Sequence, residues 1–228
     1  MKIKFSASLV IIIVCIFLFL IQNGSEIFFG YDLLSIYGAK INAFIYRGQF
    51  WRFLTPVFLH GSILHLAFNM YALFSIGPSL EQRYSIPTFL ALFAFGGIFG
   101  NIFSFLFSAN PSLGSSTAIF GLIAAQAVYI YKNRLLLGSR ANLLLRNVLV
   151  MIAINLFLGL SPGIDNWGHL GGLVGGFLFA WFAGPSYGIA ENVFGENVIV
   201  KENKRTALVS AALLALGGLF VFLKYLIS

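Results

Sequence analysis

Long apolar runs alternate with short polar stretches along most of the chain. Seven runs contain no Lys, Arg, Asp or Glu and approach or reach the roughly 17 to 25 residues that a membrane-spanning helix requires. They comprise residues 5–21, 63–80, 87–107, 116–131, 147–160, 167–181 and 207–223. The pattern therefore predicts an all-α polytopic membrane protein, in which the fourth and fifth spans are short.

Composition excludes the main alternatives to a membrane protein. Of the 228 residues, 59% are hydrophobic and only 9% are charged, whereas an average soluble domain carries about 25% charged residues. The single cysteine, Cys15, rules out an intramolecular disulfide. The first run is too long for the apolar core of a signal peptide, which has about 7 to 15 residues, and no small-residue cleavage site follows it. We therefore expect it to remain as the first membrane helix.

The distribution of basic residues predicts the orientation of the spans. With the amino terminus in the cytoplasm, ten of the fourteen Lys and Arg residues lie on the cytoplasmic side, as the positive-inside rule requires. The ten are Lys2, Lys4, Arg83, Lys132, Arg134, Arg140, Arg146, Lys201, Lys204 and Arg205. The net charge of +7 is thus a signal for topology, and we expect no nucleic-acid partner.

Polar side chains inside predicted spans are costly in a bilayer and therefore mark candidate sites. His65 and Asn69 lie four residues apart in the second span, so both lie on the same face of a helix. The same spacing also suits side chains that hydrogen-bond between packed helices. In the fourth span, Ser116 lies at the start of a helix, where unpaired backbone N–H groups can stabilise an oxyanion. A serine among small residues can also serve only close helix packing.

A candidate base for Ser116 lies in the sixth span. His169 falls about one helical turn inside the outer boundary of that span, at a depth similar to that of Ser116. Glycines spaced four residues apart on this helix permit close approach to a neighbour. They are Gly168, Gly171, Gly172, Gly175 and Gly176. A buried histidine that donates to a backbone carbonyl is the alternative, but the shared depth and the glycines favour a Ser–His pair.

Five segments together resemble the rhomboid family of intramembrane serine proteases. They read GQFWRFLT at 48–55, HGSILHLAFN at 60–69, EQR at 81–83, GSSTAIFG at 114–121 and GHLGGLVGG at 168–176, in the family order. The resemblance implies a six-helix core that opens to water from the extracytoplasmic side. The domains it implies are a six-helix rhomboid core at 1–184 with an interfacial loop at about 22–62, a cytoplasmic linker at 185–206 and a seventh transmembrane helix at 207–228.

The resemblance also implies roles for individual residues. Ser116 matches the nucleophile and His169 the general base, while His65 and Asn69 match the side chains that bind the oxyanion. No carboxylate is expected to complete a triad. Supporting positions, which the family uses for packing and loop structure, are matched by Gly114, Phe120, His60, Trp51, Arg52, Gly172 and Gly176.

Two features depart from the family pattern. Thr117 stands where the family usually has glycine, and its methyl group could crowd the entry to the S1 side of the site. Ser115 places a second hydroxyl beside Ser116. Register favours Ser116 as the nucleophile, because the segment AIFG then follows at the family spacing.

The resemblance predicts a serine endopeptidase that cleaves single-span membrane proteins near the extracytoplasmic side. We expect no cofactor and no metal, and the expected partners are the substrates and the lipid bilayer. The alternative kept is a catalytically inactive rhomboid-like scaffold that binds client proteins. A small transporter is less favoured, because it leaves the five ordered segments unexplained and the chain lacks the internal repeat that many transporters show. The compact chain without a targeting sequence indicates a multi-pass protein of a bacterial inner (plasma) membrane.

Overall fold

Helices joined by short loops account for most of the described chain. The computed structural model describes residues 6–191, 197–201, 217–218, 221–222 and 224–225. Its α-helices are α1 (Ala7–Phe29), α2 (Leu33–Gly38), α3 (Asn42–Ile45), α4 (Ile63–Tyr84), α5 (Ile86–Phe107), α6 (Ser116–Lys132), α7 (Arg134–Leu137), α8 (Arg140–Leu158) and α9 (Asn166–Ala183). Two 3₁₀ helices, Phe50–Phe53 and Thr55–Phe58, lie between α3 and α4.

The first six predicted spans each lie on one of the long helices α1, α4, α5, α6, α8 and α9. Four of these helices, α1, α4, α5 and α8, are long and apolar enough to cross a membrane. The helices α6 and α9, with 17 and 18 residues, carry Ser116 and His169. The predicted helical membrane-protein class is confirmed. The predicted seventh span, 207–223, lies largely outside the described residues.

The segment predicted as a linker contains two strands. β1 (Tyr187–Glu191) and β2 (Asn197–Lys201) pair in antiparallel register, with Tyr187 opposite Lys201. The backbone N–H of Tyr187 donates to Oδ1 of Asn133 at 3.0 Å, which ties the first strand to the end of α6. The linker prediction omits these strands, although Val198, Ile199 and Val200 are residue types that favour extended backbone.

The helix α1 is longer than its predicted span because polar residues beyond the span have partners in the following loop. It continues to Phe29, and Gly30 ends it in the left-handed conformation with φ 82°. Gln22 is buried and donates from Nε2 to Asp32 Oδ2 at 2.8 Å and to Ser35 Oγ at 3.0 Å. The loop thus supplies hydrogen bonds that lipid cannot provide.

The helix α8 also differs from its predicted span. It begins at Arg140, whereas the predicted span begins at residue 147. Arg140 and Arg146 are both exposed, and arginine is a good helix former. The predicted span begins after Arg146 because it counts only uncharged residues, which marks the part of the helix that lipid can surround. The helix itself begins earlier, at Arg140.

The helix α9 contacts α6 through two glycines, with almost no space between the backbones. A side chain at Gly172 would overlap the carbonyl oxygen of Thr117. A side chain at Gly176 would overlap the backbone of Gly121. These contacts fix how far α9 can slide along α6.

Two other glycines of α9 face α5. An added Cβ at Gly171 would lie 2.5 Å from Cβ of Phe103, and one at Gly175 would lie 2.5 Å from Cβ of Phe99. The helix α9 therefore presents one pair of glycines to α6 and a second pair to α5. Small residues allow this close packing in a bilayer, where apolar side chains gain little by leaving lipid.

Gly176→Ala is expected to lower the free energy of unfolding by about 1 to 3 kcal/mol, the usual cost of overpacking. Its methyl group would overlap backbone atoms of Gly121, which cannot rotate away. Gly24→Ala in α1 is the matched control, because nothing lies within 4 Å of the added Cβ and alanine is the better helix former. Unfolding of both variants in detergent measures the difference. Equal stability would contradict the close contact.

Candidate active site

Ser115 and Ser116 stand at the start of α6 but have different partners. Ser115 is fully buried and donates from Oγ to the carbonyl oxygen of Val57 at 2.6 Å. Ser116 is the first residue of α6 and is half-buried. Its Oγ lies 3.0 Å from Nε2 of His169, within hydrogen-bond distance. The structure thus distinguishes the two hydroxyls: one is committed to a loop contact, and the other contacts the histidine.

The imidazole of His169 is held against an aromatic ring. His169 lies in the first turn of α9 and is 7% exposed. Its ring stacks on Phe120 of α6, with the centroids 4.3 Å apart and the planes 17° from parallel. Because Phe120 lies one turn after Ser116, the same helix supplies both the hydroxyl and the stacking surface. A hydroxyl within reach of an oriented imidazole is suited to proton transfer.

Asp165 caps the amino-terminal end of α9 and does not hydrogen-bond to the imidazole of His169. Its Oδ1 accepts a hydrogen bond from the backbone N–H of Gly168 at 2.9 Å, as a helix N-cap does. Among the described residues, Nδ1 of His169 has no hydrogen-bond partner. The described residues contain no group of three or more His, Cys, Asp or Glu side chains that could hold a metal.

Thr117 fills a contact between helices. Its Cβ lies 2.5 Å from the position of an added Cβ at Gly100 of α5, and its methyl group lies 3.0 Å from one at Gly168 of α9. The side chain is buried. The side chain therefore packs between α5 and α9, and its effect on the entry to the S1 side stays a prediction.

The side chain of His65 lies over Gly114, just before the two serines. An added Cβ at Gly114 would lie 2.6 Å from Nε2 of His65, and the φ of Gly114 is 129°, a backbone conformation that favours glycine. Asn69 is buried and donates from Nδ2 to the carbonyl oxygen of His65 at 3.0 Å. Within the described structure, neither side chain hydrogen-bonds to Ser116 or His169.

A buried polar cluster lies beneath Ser115. Nε2 of His60 is 3.4 Å from Ser115 Oγ, and the sulfur of Cys15 is 3.6 Å from the same oxygen. The backbone N–H of His60 donates to Gln22 Oε1 at 3.1 Å, which joins the cluster to α1. Burial, with a smaller contribution from the nearby His65, lowers the pKa of His60 to about 3. His60 is therefore a neutral structural residue at physiological pH.

Trp51 and Arg52 are adjacent in sequence but have different environments. Trp51 is exposed and donates from Nε1 to the carbonyl oxygen of Tyr37 at 3.1 Å, as suits an aromatic residue at a membrane interface. Arg52 is buried and donates to the carbonyl oxygens of Ala39 at 2.6 Å and Ile36 at 2.7 Å. Burial lowers the pKa of Arg52. Arg52 therefore organises the interior of the loop between α1 and α4.

Two buried polar residues near the site escape the sequence analysis. Asn101 of α5 donates from Nδ2 to the carbonyl oxygen of Phe53 at 3.0 Å and so ties the loop to the helix bundle. It is a polar residue inside a predicted span, so the criterion that selects Asn69 would also select Asn101. Lys40 is fully buried as well, but it lies outside the predicted spans, where the criterion of polar residues within a span does not apply.

Comparison with known proteins finds relatives along most of the chain. The family model described as "Rhomboid domain" matches residues 47–186. "Rhomboid protease GluP" of Bacillus subtilis (strain 168) is 40% identical over 189 residues, which are 82% of this chain and 35% of that protein. "RHOMBOID-like protein 9, chloroplastic" of Arabidopsis thaliana is 36% identical over 68% of this chain and 36% of that protein. "Rhomboid-like protease 1" of Toxoplasma gondii is 36% identical over 64% of this chain and 51% of that protein. The chain thus spans about a third to a half of these relatives.

The protein is expected to lose stability as the pH falls from 6.5 towards 3. The pKa of His60 is about 3 in the folded protein, against an ordinary value of 6.5, so the unfolded chain takes up the proton first and is favoured in this interval. Chemical denaturation at about pH 4 and pH 7 measures the change. His60→Gln, which cannot titrate, should lose less stability over the same interval. An equal loss in both proteins would assign the acid sensitivity to other groups.

Proposed function

The chain belongs to the rhomboid family, and on this basis we propose that it is an intramembrane serine endopeptidase with Ser116 as nucleophile and His169 as general base. The observation that carries the proposal is the 3.0 Å contact between Ser116 Oγ and His169 Nε2. The stacking of Phe120 on the imidazole supports it, because the stack holds the ring facing the hydroxyl. The chain is an integral, multi-pass membrane protein, so its substrates are expected to reach this pair from the bilayer.

The proposed chemistry is acyl transfer in two steps. Nε2 of His169 accepts the proton of Ser116 Oγ while this oxygen attacks the carbonyl carbon of the substrate peptide bond. The imidazolium then gives the proton to the leaving amine as the C–N bond breaks, and the acyl group stays on Ser116 as an ester. His169 then accepts a proton from water as the water oxygen attacks the ester carbon, and the imidazolium returns this proton to Ser116 Oγ as the ester bond breaks and the carboxyl product leaves. Nδ1 of His169 has no hydrogen-bond partner in the part of the chain that the structure describes, which is consistent with a dyad.

The negative charge that forms on the carbonyl oxygen requires preorganised donors. The backbone N–H of Ser116 lies in the first turn of α6, where N–H groups have no acceptor within the helix. We assign the side chains of His65 and Asn69 as the other donors. Asn69 uses one amide hydrogen for the carbonyl oxygen of His65, which leaves the second hydrogen for the oxyanion. The contact of His65 with Gly114 supports its assignment, since Gly114 lies two residues before Ser116.

The proposed substrates are single transmembrane segments of other membrane proteins, cut near their extracytoplasmic ends. Ser116 and His169 lie in the first turns of α6 and α9, and alternation of the spans puts both helix starts on the side opposite the amino terminus. The distribution of Lys and Arg supports a cytoplasmic amino terminus. The proposed location is a bacterial inner (plasma) membrane, and the bacterial source of the Bacillus subtilis relative agrees with it. A substrate helix must unwind locally before attack, because its carbonyl groups are hydrogen-bonded along the helix.

Ser116→Ala and His169→Ala are each expected to abolish cleavage of a single-span test substrate in proteoliposomes, because each removes one partner of the 3.0 Å contact. Ser115→Ala is the matched control, because it removes the same atom one residue earlier. We expect it to lower the melting temperature through loss of the contact with Val57 and to leave cleavage intact.

Cleavage by Ser116→Ala, or loss of cleavage only in Ser115→Ala, would assign the nucleophile to another residue. The unaltered protein is also tested with a fluorophosphonate probe that reacts with activated serines. If it neither cuts nor reacts, the inactive, client-binding scaffold replaces the protease as the better interpretation.

Asn69→Ala is expected to lower kcat about a hundredfold and to leave KM nearly unchanged, as loss of one oxyanion donor does. Asn155→Ala in α8 is the matched control, because Asn155 also donates from Nδ2 to the carbonyl oxygen four residues earlier, that of Met151. Steady-state cleavage in proteoliposomes gives both constants. A higher KM at constant kcat would place Asn69 outside the oxyanion site.

A further inference from the structure

Lys40 is a fully buried lysine in the loop between α1 and α4. Its Nζ donates to the carbonyl oxygens of Ser108 and Asn110, at 2.9 Å each. No ion pair of Lys40 with a carboxylate occurs among the described residues. A buried ammonium group is costly unless its hydrogen bonds are satisfied, so its position between two backbone carbonyls requires an explanation. The mechanism proposed above gives Lys40 no role.

The backbone of Lys40 is bound to the same loop as its side chain. Its N–H donates to the carbonyl oxygen of Ser112 at 2.9 Å, and the N–H of Ser112 donates to the carbonyl oxygen of Lys40 at 3.0 Å. Asn42 adds hydrogen bonds from Nδ2 to the carbonyl oxygens of Ser108, at 3.0 Å, and Phe105, at 3.3 Å. Residues 105–112 are thus held by two nearby side chains and one backbone pair.

Lys224, near the carboxy terminus, contributes a second cation to this place. Its Nζ donates to the carbonyl oxygens of Phe105 and Leu106, and it lies 4.7 Å from the centroid of the Phe105 ring. The last carbonyls of a helix have no partner within the helix and carry the negative end of its dipole. Lys40, Asn42 and Lys224 therefore cap the carboxyl end of α5 together.

The capped segment leads directly to the proposed nucleophile. Residues 108–115 join α5 to α6, and Ser116 is the first residue of α6. At the other end of this loop, the N–H of Gly114 donates to the carbonyl oxygen of Pro56 at 2.9 Å. The loop is therefore held at both ends by the connection between α1 and α4. The direction of the Ser116 N–H and Oγ depends on how this backbone enters the helix.

We propose that Lys40 is a positioning residue for Ser116, which acts by fixing residues 108–112 and, through them, the entrance to α6. The inference rests on the proposed serine endopeptidase function. Burial lowers the pKa of Lys40 to about 8, with Asp165 opposing this effect and Lys224 adding to it. The neutral amine can still donate to both carbonyls, so the contact requires the N–H groups rather than the charge.

Three variants test the proposal by cleavage in proteoliposomes, by the rate of labelling with a fluorophosphonate probe, and by thermal unfolding. Lys40→Met keeps the length of the side chain and removes the donors. Lys40→Arg keeps donors for both carbonyls. Asn133→Leu is the matched control, because it removes a buried contact from Nδ2 to the carbonyl oxygen of Pro185 beyond the opposite end of α6.

Lys40→Met is expected to lower kcat and the labelling rate by about tenfold or more with KM unchanged, since small displacements of reacting groups are costly. Lys40→Arg should recover most of this loss. Asn133→Leu should lower the melting temperature and leave kcat unchanged. The proposal is wrong if Lys40→Met melts earlier but keeps kcat and labelling within about twofold of the unaltered protein.

Asn42→Leu keeps the test decisive if Lys40→Met does not fold. This variant removes the amide donor to Ser108 and Phe105 from the same loop, so kcat and labelling should fall together at constant KM. Unchanged constants would overturn the proposal. Failure of the protease assignment gives a different result, because the unaltered protein would then neither cleave nor label.

Discussion

The direct backbone contact between α6 and α9 is the constraint on which the arrangement of the site depends. Gly172 lies against the carbonyl oxygen of Thr117, and Gly176 lies against the backbone of Gly121. A helix rises about 1.5 Å per residue, whereas a hydrogen bond tolerates only a few tenths of an ångström. The glycine contacts therefore set the register in which Ser116 and His169 meet. In lipid the hydrophobic effect does not drive helices together, so van der Waals packing of this kind stabilises their association.

Backbone carbonyls of two loops, the one between α1 and α4 and the one before α6, are the second feature that organises this protein. Arg52 donates to two carbonyls of the loop between α1 and α4, and Lys40 donates to two carbonyls of the loop before α6. Buried cations usually pair with carboxylates, but here they donate to backbone carbonyl groups. A short loop held in this way can position the first residue of α6 as firmly as a helix interior would.

The amino-acid sequence predicts the helical membrane class and the places where most of the spans lie. Uncharged apolar runs can be recognised from the order of residues alone, because a charge inside lipid is costly. These runs located α4, α5 and α6 within a few residues at each end. They described the ends less well where polar residues have partners: α1 continues through Gln22, and α8 begins at Arg140. Motif order identified the family, because each motif sits at a fixed distance from the next along the chain.

Which side chains contact one another became known only from the folded arrangement of the helices and loops. Ser115 and Ser116 are indistinguishable by hydropathy and depth, but one hydroxyl contacts Val57 and the other contacts His169. Likewise, nothing local separates the buried Lys40 from a solvated loop lysine. The physical reason is the same in both cases. The direction of a side chain at a helix start or in a loop depends on backbone contacts between segments far apart in the chain, which periodicity and composition do not record.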